Sequence, residues 1–216
     1  LSTGDVIVDG GNSWYRDSVR RAGVAAARGI GYVDAGVSGG IWGRTEGYAL
    51  MIGGEDAHVA RLKPIAEALA PGTDRGWGHV GPAGAGHFVK MVHNGIEYGM
   101  MQAYAEGFAI MKAKEPFHLD LAQVAGIWQH GSVVRSWLLD LTARALNEDA
   151  ALEAVAPWVD DSGEGRWTVQ EAIDLNTPAP VITHALSARL ESRDREGFGY
   201  RMLAALRGQF GGHAIK

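Results

Sequence analysis

Lys90, His93, Asn94, Glu97 and Tyr98 are the residues of this chain whose types and spacing point most directly to chemistry. They stand at i, i+3, i+4, i+7 and i+8, so a helix would stack them along one face. One amine, one imidazole, one carboxamide, one carboxyl and one phenol on a shared stripe make the inventory of a proton-transfer site. A solvated helix face held by i,i+4 pairs is the plainer alternative. The stripe has no run of Lys and Glu, which favours the proton-transfer reading.

The element that must carry this stripe is a long helix over residues 84–111, free of proline and with apolar residues at helical spacing. Phe88, Val89, Met91, Val92, Ile96 and Met100 fill the rest of its girth, which predicts a core helix. Gly95 and Gly99 would let a neighbouring element approach closely.

The chain of 216 residues is 46% hydrophobic and 21% charged, enough for one large core or two small ones. Its net charge of −5 and its lack of a basic run argue against a nucleic-acid partner. No apolar span of about 18 residues occurs, so no membrane partner is expected. Zero cysteines exclude disulfides, thiol nucleophiles and thiolate metal sites. The eight histidines show no HxxxH or HExxH spacing, so no metal site is expected. No signal peptide precedes the first strand, and a cytoplasmic location is expected.

Taken in order, residues 4–9 read as a short strand ending in a glycine turn, and residues 15–28 as a helix capped at or near Ser13. Residues 31–40 repeat the strand and glycine turn. A third strand (48–53), a helix (55–69) and a fourth strand (76–80) follow, which implies an α/β sheet, mostly parallel. The Gly-x-Gly-x-x-Gly turn of a dinucleotide fold is absent, so the chain is expected to lack the N-terminal half of its α/β domain. From Gly81 and Pro82 onward the pattern turns helical: 84–111, 119–126, 132–146, 169–175, 180–192 and 198–210. The expected organisation is α/β over 1–80 and all-α over 81–216, with the junction as a favoured ligand site. Trp128, Trp137, Trp158 and Trp167 read as core or interface aromatics.

Three stretches converge on one family. Asp9-Gly10-Gly11-Asn12-Ser13, Val37-Ser38-Gly39-Gly40 and the run 84–98 together resemble 6-phosphogluconate dehydrogenases, the decarboxylating enzymes of the pentose phosphate pathway. The resemblance continues through Gly163-Glu164-Gly165-Arg166-Trp167-Thr168 to Phe210-Gly211-Gly212-His213, and it is to the short members of the family. It implies a remnant of a Rossmann-type NAD(P)-binding domain followed by a mostly helical domain. NAD or NADP is the implied cofactor, with the choice between them set outside this chain.

The resemblance also implies roles. Lys90 matches the base that takes the hydroxyl proton of the 3-hydroxy acid, and Glu97 the acid that protonates C1 after carbon dioxide leaves. A lysine works as a base near neutral pH only where desolvation or positive charge lowers its pKa. His93 and Asn94 match residues that hold substrate hydroxyls, and Tyr98 one at the substrate phosphate. Asn12 matches a residue touching both nicotinamide and substrate. Ser38, Gly39 and Gly40 match the loop at the carboxylate end, where glycine lets backbone N–H groups come close. For Asn12 and this loop, simple turn chemistry is the alternative.

Arg135, in Val133-Val134-Arg135-Ser136-Trp137, matches a phosphate-binding arginine. The Gly163 to Trp167 loop departs from longer relatives, which place a lysine and a threonine on the phosphate there; the carboxylate of Glu164 suits a phosphate poorly. Arg207 and His213 match a pair that reaches the neighbouring subunit's site, which implies a homodimer or homotetramer. Two other readings stand beside this one. A non-decarboxylating β-hydroxyacid dehydrogenase would share Gly84, Gly86, Lys90 and Asn94 but would need neither Glu97 nor Tyr98. An inactive dimerisation or substrate-binding fragment would need no cofactor.

Overall fold

A computed structural model describes residues 1–211 of the chain. Four strands, β1 (Val6–Asp9), β2 (Gly31–Ser38), β3 (Ala49–Gly54) and β4 (Trp77–Gly81), form one sheet in that order. Helix α1 (Tyr15–Ala26) crosses between β1 and β2, and α3 (Asp56–Leu69) between β3 and β4. Both pairs are therefore parallel. The central pair, β2 with β3, is antiparallel, so the sheet is mixed but mostly parallel, as expected. Only residues 39–48 join these strands, as a 3-10 turn (Gly40–Trp42) and the single-turn helix α2 (Gly43–Glu46), too little for a crossover. The sheet core comprises Val33, Ala35, Leu50 and Ile52 against Val59, Leu62 and Ala66 of α3.

Two compact units divide the chain. One joins Leu1–Met101 with Ser162–Thr183; the other joins Gln102–Asp161 with the chain from His184. The division falls inside the long helix α4 (Ala85–Ala113). In the first unit, the start of α4 lies directly on the sheet. A Cβ on Gly86 would sit 2.4 Å from the Met51 carbonyl oxygen and 2.6 Å from that of Asp34. Only glycine permits that approach.

Asp34 anchors the same turn. Fully buried on β2, it accepts the backbone N–H groups of Gly84 and His87, so its charge meets the positive end of α4. Asp34→Ala is expected to lower stability by about 3 kcal/mol, since two buried donors lose a charged acceptor. Urea unfolding followed by circular dichroism checks this; a change below about 1 kcal/mol would show that α4 does not depend on Asp34.

Helix α7 (Glu164–Asp174) returns to this unit from late in the chain. Its Arg16 partners, Glu171 and Asp174, tie it to α1 at 3.0 and 2.6 Å, and Tyr15 donates to Glu171 at 2.8 Å. Gly95 faces Thr168 so closely that an added Cβ would lie 2.7 Å from its methyl, as the small-residue reading of α4 anticipated. Thr168 Oγ1 donates to the Met91 carbonyl at 2.8 Å and locks the pair.

In the second unit, Phe108, Ala125, Leu139, Ala143 and Leu146 pack together with Trp128 and Tyr104. These come from α4, α5 (Leu121–Trp128) and α6 (Trp137–Glu148). Helices α8 (Pro180–Glu191) and α9 (Phe198–Gly211) complete the order.

Several local expectations change. Ser13 does not cap α1; its hydroxyl donates to Asp9 instead, at 3.0 Å. Helix α6 begins at Trp137, not residue 132, because Ser136 caps it by accepting the Leu139 N–H. Ile96 and Met100 on α4 are exposed and not core, and Trp137 and Trp158 are exposed too, which leaves the interface alternative for those two tryptophans.

Candidate active site

The polar stripe of α4 is present, with its members unequally buried. The Lys90 side chain is 15% exposed and stands over Gly36 of β2, where any larger residue would strike its Cβ. Its ammonium donates to Asn94 Oδ1, one turn along the helix. Burial pushes the Lys90 pKa down; the nearby carboxylates of Glu164 and Glu97 oppose this without cancelling it. His93 lies 3.3 Å from the same Asn94 oxygen and 3.8 Å from Glu97. Glu97, with 36% of its side chain exposed, keeps access to water. An amine whose pKa is lowered by burial and an accessible carboxyl thus share one helix face, two turns apart.

Helix α7 packs against Lys90 and Tyr98 of this stripe, and with it comes a group that sequence reading set aside. The run Gly163 to Trp167 is not a loop but the start of α7, with Gly163 turning into it at φ +100°. Glu164 stands in the helix's first turn, its side chain 5% exposed, 3.8 Å from the Lys90 ammonium. Ser162 donates its hydroxyl to the other carboxylate oxygen. Tyr98, buried, lies 3.3 Å from the Ser162 hydroxyl and accepts the Ser162 N–H at 3.2 Å. Its ring presses on Gly165, where a Cβ would come within 2.4 Å. The signal available in the sequence was Glu164 flanked by two glycines, a small-residue setting for close helix packing around a carboxylate.

Two turns at the ends of β1 and β2 present the remaining residues of this unit. Asp9 builds the first: it accepts from Gly11 N–H, Ser13, Arg21 and Tyr32 at 2.8–3.2 Å. Burial alone would raise its pKa, but the hydrogen bonds from Tyr32, Gly11 and Ser13 hold it below the usual carboxylate range. Asn12, at the tip, is exposed, and its amide makes no hydrogen bond among the described residues. In the second turn, Gly39 and Gly40 have φ of +137° and +52°. Both values favour glycine, so here the conformation itself explains the residue type. Ser38 lies two positions beyond Gly36, on the strand face over which Lys90 stands. Because β1 and β2 are parallel, both turns open at the same carboxyl edge, where α/β sheets commonly take ligands.

Lys90, His93, Asn94, Glu97, Tyr98, Asn12, Ser38, Gly39 and Gly40 all belong to the first unit. Arg135 and Arg207 belong to the second, both exposed, Arg135 just before α6 and Arg207 on α9. His213 lies outside the described residues. Among the described residues no cluster of His, Asp or Glu could hold a metal ion, and no helix is long and apolar enough to cross a membrane.

A Rossmann-like sheet with a mostly helical continuation, and a lysine–glutamate pair on the helix that leaves the sheet, defines a two-part nucleotide-fold architecture. Residues 1–80 match the family described as the NAD binding domain of 6-phosphogluconate dehydrogenase, and residues 86–213 match its C-terminal domain. The chain belongs to the 6-phosphogluconate dehydrogenase family. It is 45% identical over 216 residues to the NAD(+)-dependent, decarboxylating 6-phosphogluconate dehydrogenase of Haloferax volcanii, spanning all of this chain and 71% of that protein. The Plasmodium falciparum 6-phosphogluconate dehydrogenase, whose structures include complexes with NADP+ and 6-phosphogluconate, superposes with a TM-score of 0.82 at 31% identity. There the match covers 100% of this chain and 46% of the other. A 3-hydroxyisobutyrate dehydrogenase from Salmonella typhimurium shares the fold, with a TM-score of 0.70 at 22% identity over 87% of this chain and 63% of the other.

Proposed function

We propose that this protein oxidatively decarboxylates 6-phosphogluconate to ribulose 5-phosphate and carbon dioxide, with NAD or NADP as the hydride acceptor. The observation that carries this reading is the pairing of a buried, pKa-lowered Lys90 with an accessible Glu97 on one face of α4. A simple oxidation of a hydroxy acid needs only the first of these. Decarboxylation leaves an enediol, which needs an acid to protonate C1, and Glu97 answers that need.

Residues 1–80 are taken as the cofactor side and 81–216 as the helical domain. A nicotinamide cofactor fits the carboxyl edge of β1 and β2, where the Asn12 amide is exposed and Gly39 and Gly40 leave backbone N–H groups approachable. When bound, it accepts the hydride leaving C3. Neutral Lys90 takes the C3 hydroxyl proton, and burial shifts its pKa down in favour of that form. The resulting ammonium then faces the new carbonyl oxygen and stabilises the negative charge that builds there as carbon dioxide departs. Glu97 delivers a proton to C1.

His93 and Asn94 orient the hydroxyls, and Ser38 with Gly39 and Gly40 holds the carboxylate end. Tyr98 is assigned to the phosphate, with Arg135 as a further ligand. Arg207 and His213 are assigned to a neighbouring subunit's site in a homodimer or homotetramer. The test is turnover of 6-phosphogluconate by the full-length gene product carrying this sequence, assayed with NAD and with NADP. Reduction of one cofactor together with release of carbon dioxide from this substrate supports the reading. Activity restricted to unphosphorylated 3-hydroxy acids would replace it with the β-hydroxyacid reading, and binding without turnover would favour a silent binding protein.

A further inference from the structure

We propose that Glu164 is a positioning residue for Lys90, holding its ammonium in the substrate-free site and setting the pH above which the amine becomes free to act as a base. This rests on the reading of Lys90 as the base. The geometry carries the inference. Glu164 Oε1 lies 3.8 Å from Lys90 Nζ, and both side chains are largely shielded from water. The carboxylate is itself restrained, because Ser162 donates to its second oxygen. The first turn of α7 is itself clamped onto α4 through Gly165 against Tyr98 and Thr168 against Gly95. A negative charge also suits this place, at the positive end of a helix.

Lys90 is thus held from two sides, by the Asn94 oxygen along α4 and by Glu164 across from it. A pair separated by 3.8 Å is an electrostatic tether rather than a hydrogen bond, so the amine can move onto a substrate hydroxyl without breaking one. The other charged groups near Lys90 are accounted for. Glu97 and His93 share its own helix and lie 3.8 Å from each other. Asp34, on the strand packed beneath, is taken up by the N–H groups of Gly84 and His87. Glu164 and Glu97 are the carboxylates whose charge reaches the amine.

A neighbouring carboxylate favours the ammonium, so removing it lowers the pKa of the amine. Glu164→Gln keeps the shape and the hydrogen bond from Ser162 but loses the charge. The rising limb of the kcat/KM profile is expected to move to lower pH by about one unit. Glu164→Asp, which restores the charge, should return the limb towards its original place. A second readout does not depend on turnover: the pH dependence of Lys90 modification by trinitrobenzenesulfonate, taken against a Lys90→Met background. Its midpoint should fall by a similar amount in Glu164→Gln. Should that variant fail to fold, Glu164→Thr removes the charge with a smaller side chain and is expected to shift the midpoint the same way. An unmoved limb and an unmoved modification midpoint would overturn the role of Glu164. Absence of turnover in the parent protein would instead count against the proposed reaction, leaving the modification midpoints to judge Glu164 separately.

Discussion

Lys90→Met is expected to lose at least about 10⁴-fold in kcat while binding 6-phosphogluconate within a few-fold of the parent affinity. Proton transfer by a positioned group contributes about 10²–10⁴-fold. Stabilisation of developing oxyanion charge by the resulting ammonium adds a further factor of about 10²–10³. Both belong to the same atom, so one substitution removes both. Methionine keeps the unbranched shape that stands over Gly36, and so the sheet contact survives. Steady-state kinetics together with calorimetric titration of the substrate separate the two effects. Turnover near that of the parent would remove Lys90 from the base role, and an equal collapse of binding would make it a substrate ligand instead.

Glu97→Gln acts on the later half of the reaction. The substitution is nearly isosteric, and the side chain is accessible enough to exchange its contacts with water. Hydride transfer should therefore continue through a first turnover, while protonation at C1 slows by about 10²–10³-fold. In deuterated water, rapid-quench sampling should find cofactor reduced ahead of C1-deuterated product, with the gap much wider than in the parent. Equal slowing of both events would place Glu97 in substrate orientation, and no slowing would move the acid to another group.

The stripe on α4 was legible because helical spacing and side-chain type are both local properties. So were the strands, whose apolar runs end in glycine turns, and the parallel pairs joined through α1 and α3. Strand direction across residues 39–48 was not, because apolar alternation carries no orientation. The start of α7 was misread for a different reason. Two glycines around Glu164 lower helix propensity, yet tertiary packing overrides it by placing Gly165 under the Tyr98 ring. Glu164 was accordingly weighed against a phosphate rather than against an amine. Its partner Lys90 lies far away in sequence, and only the folded chain brings them together. Asn12 was legible as a turn residue, but the Asp9 network that fixes its turn draws on Arg21 and Tyr32, which no local motif connects.

The most direct measurement follows reduced cofactor and carbon dioxide together when the full-length gene product is given 6-phosphogluconate with NAD or with NADP. Equal molar yields of both products are expected, with ribulose 5-phosphate as the remaining product. Reduced cofactor without carbon dioxide would contradict the decarboxylating reading, because the lysine–glutamate pair on α4 would then serve an oxidation that needs no second acid.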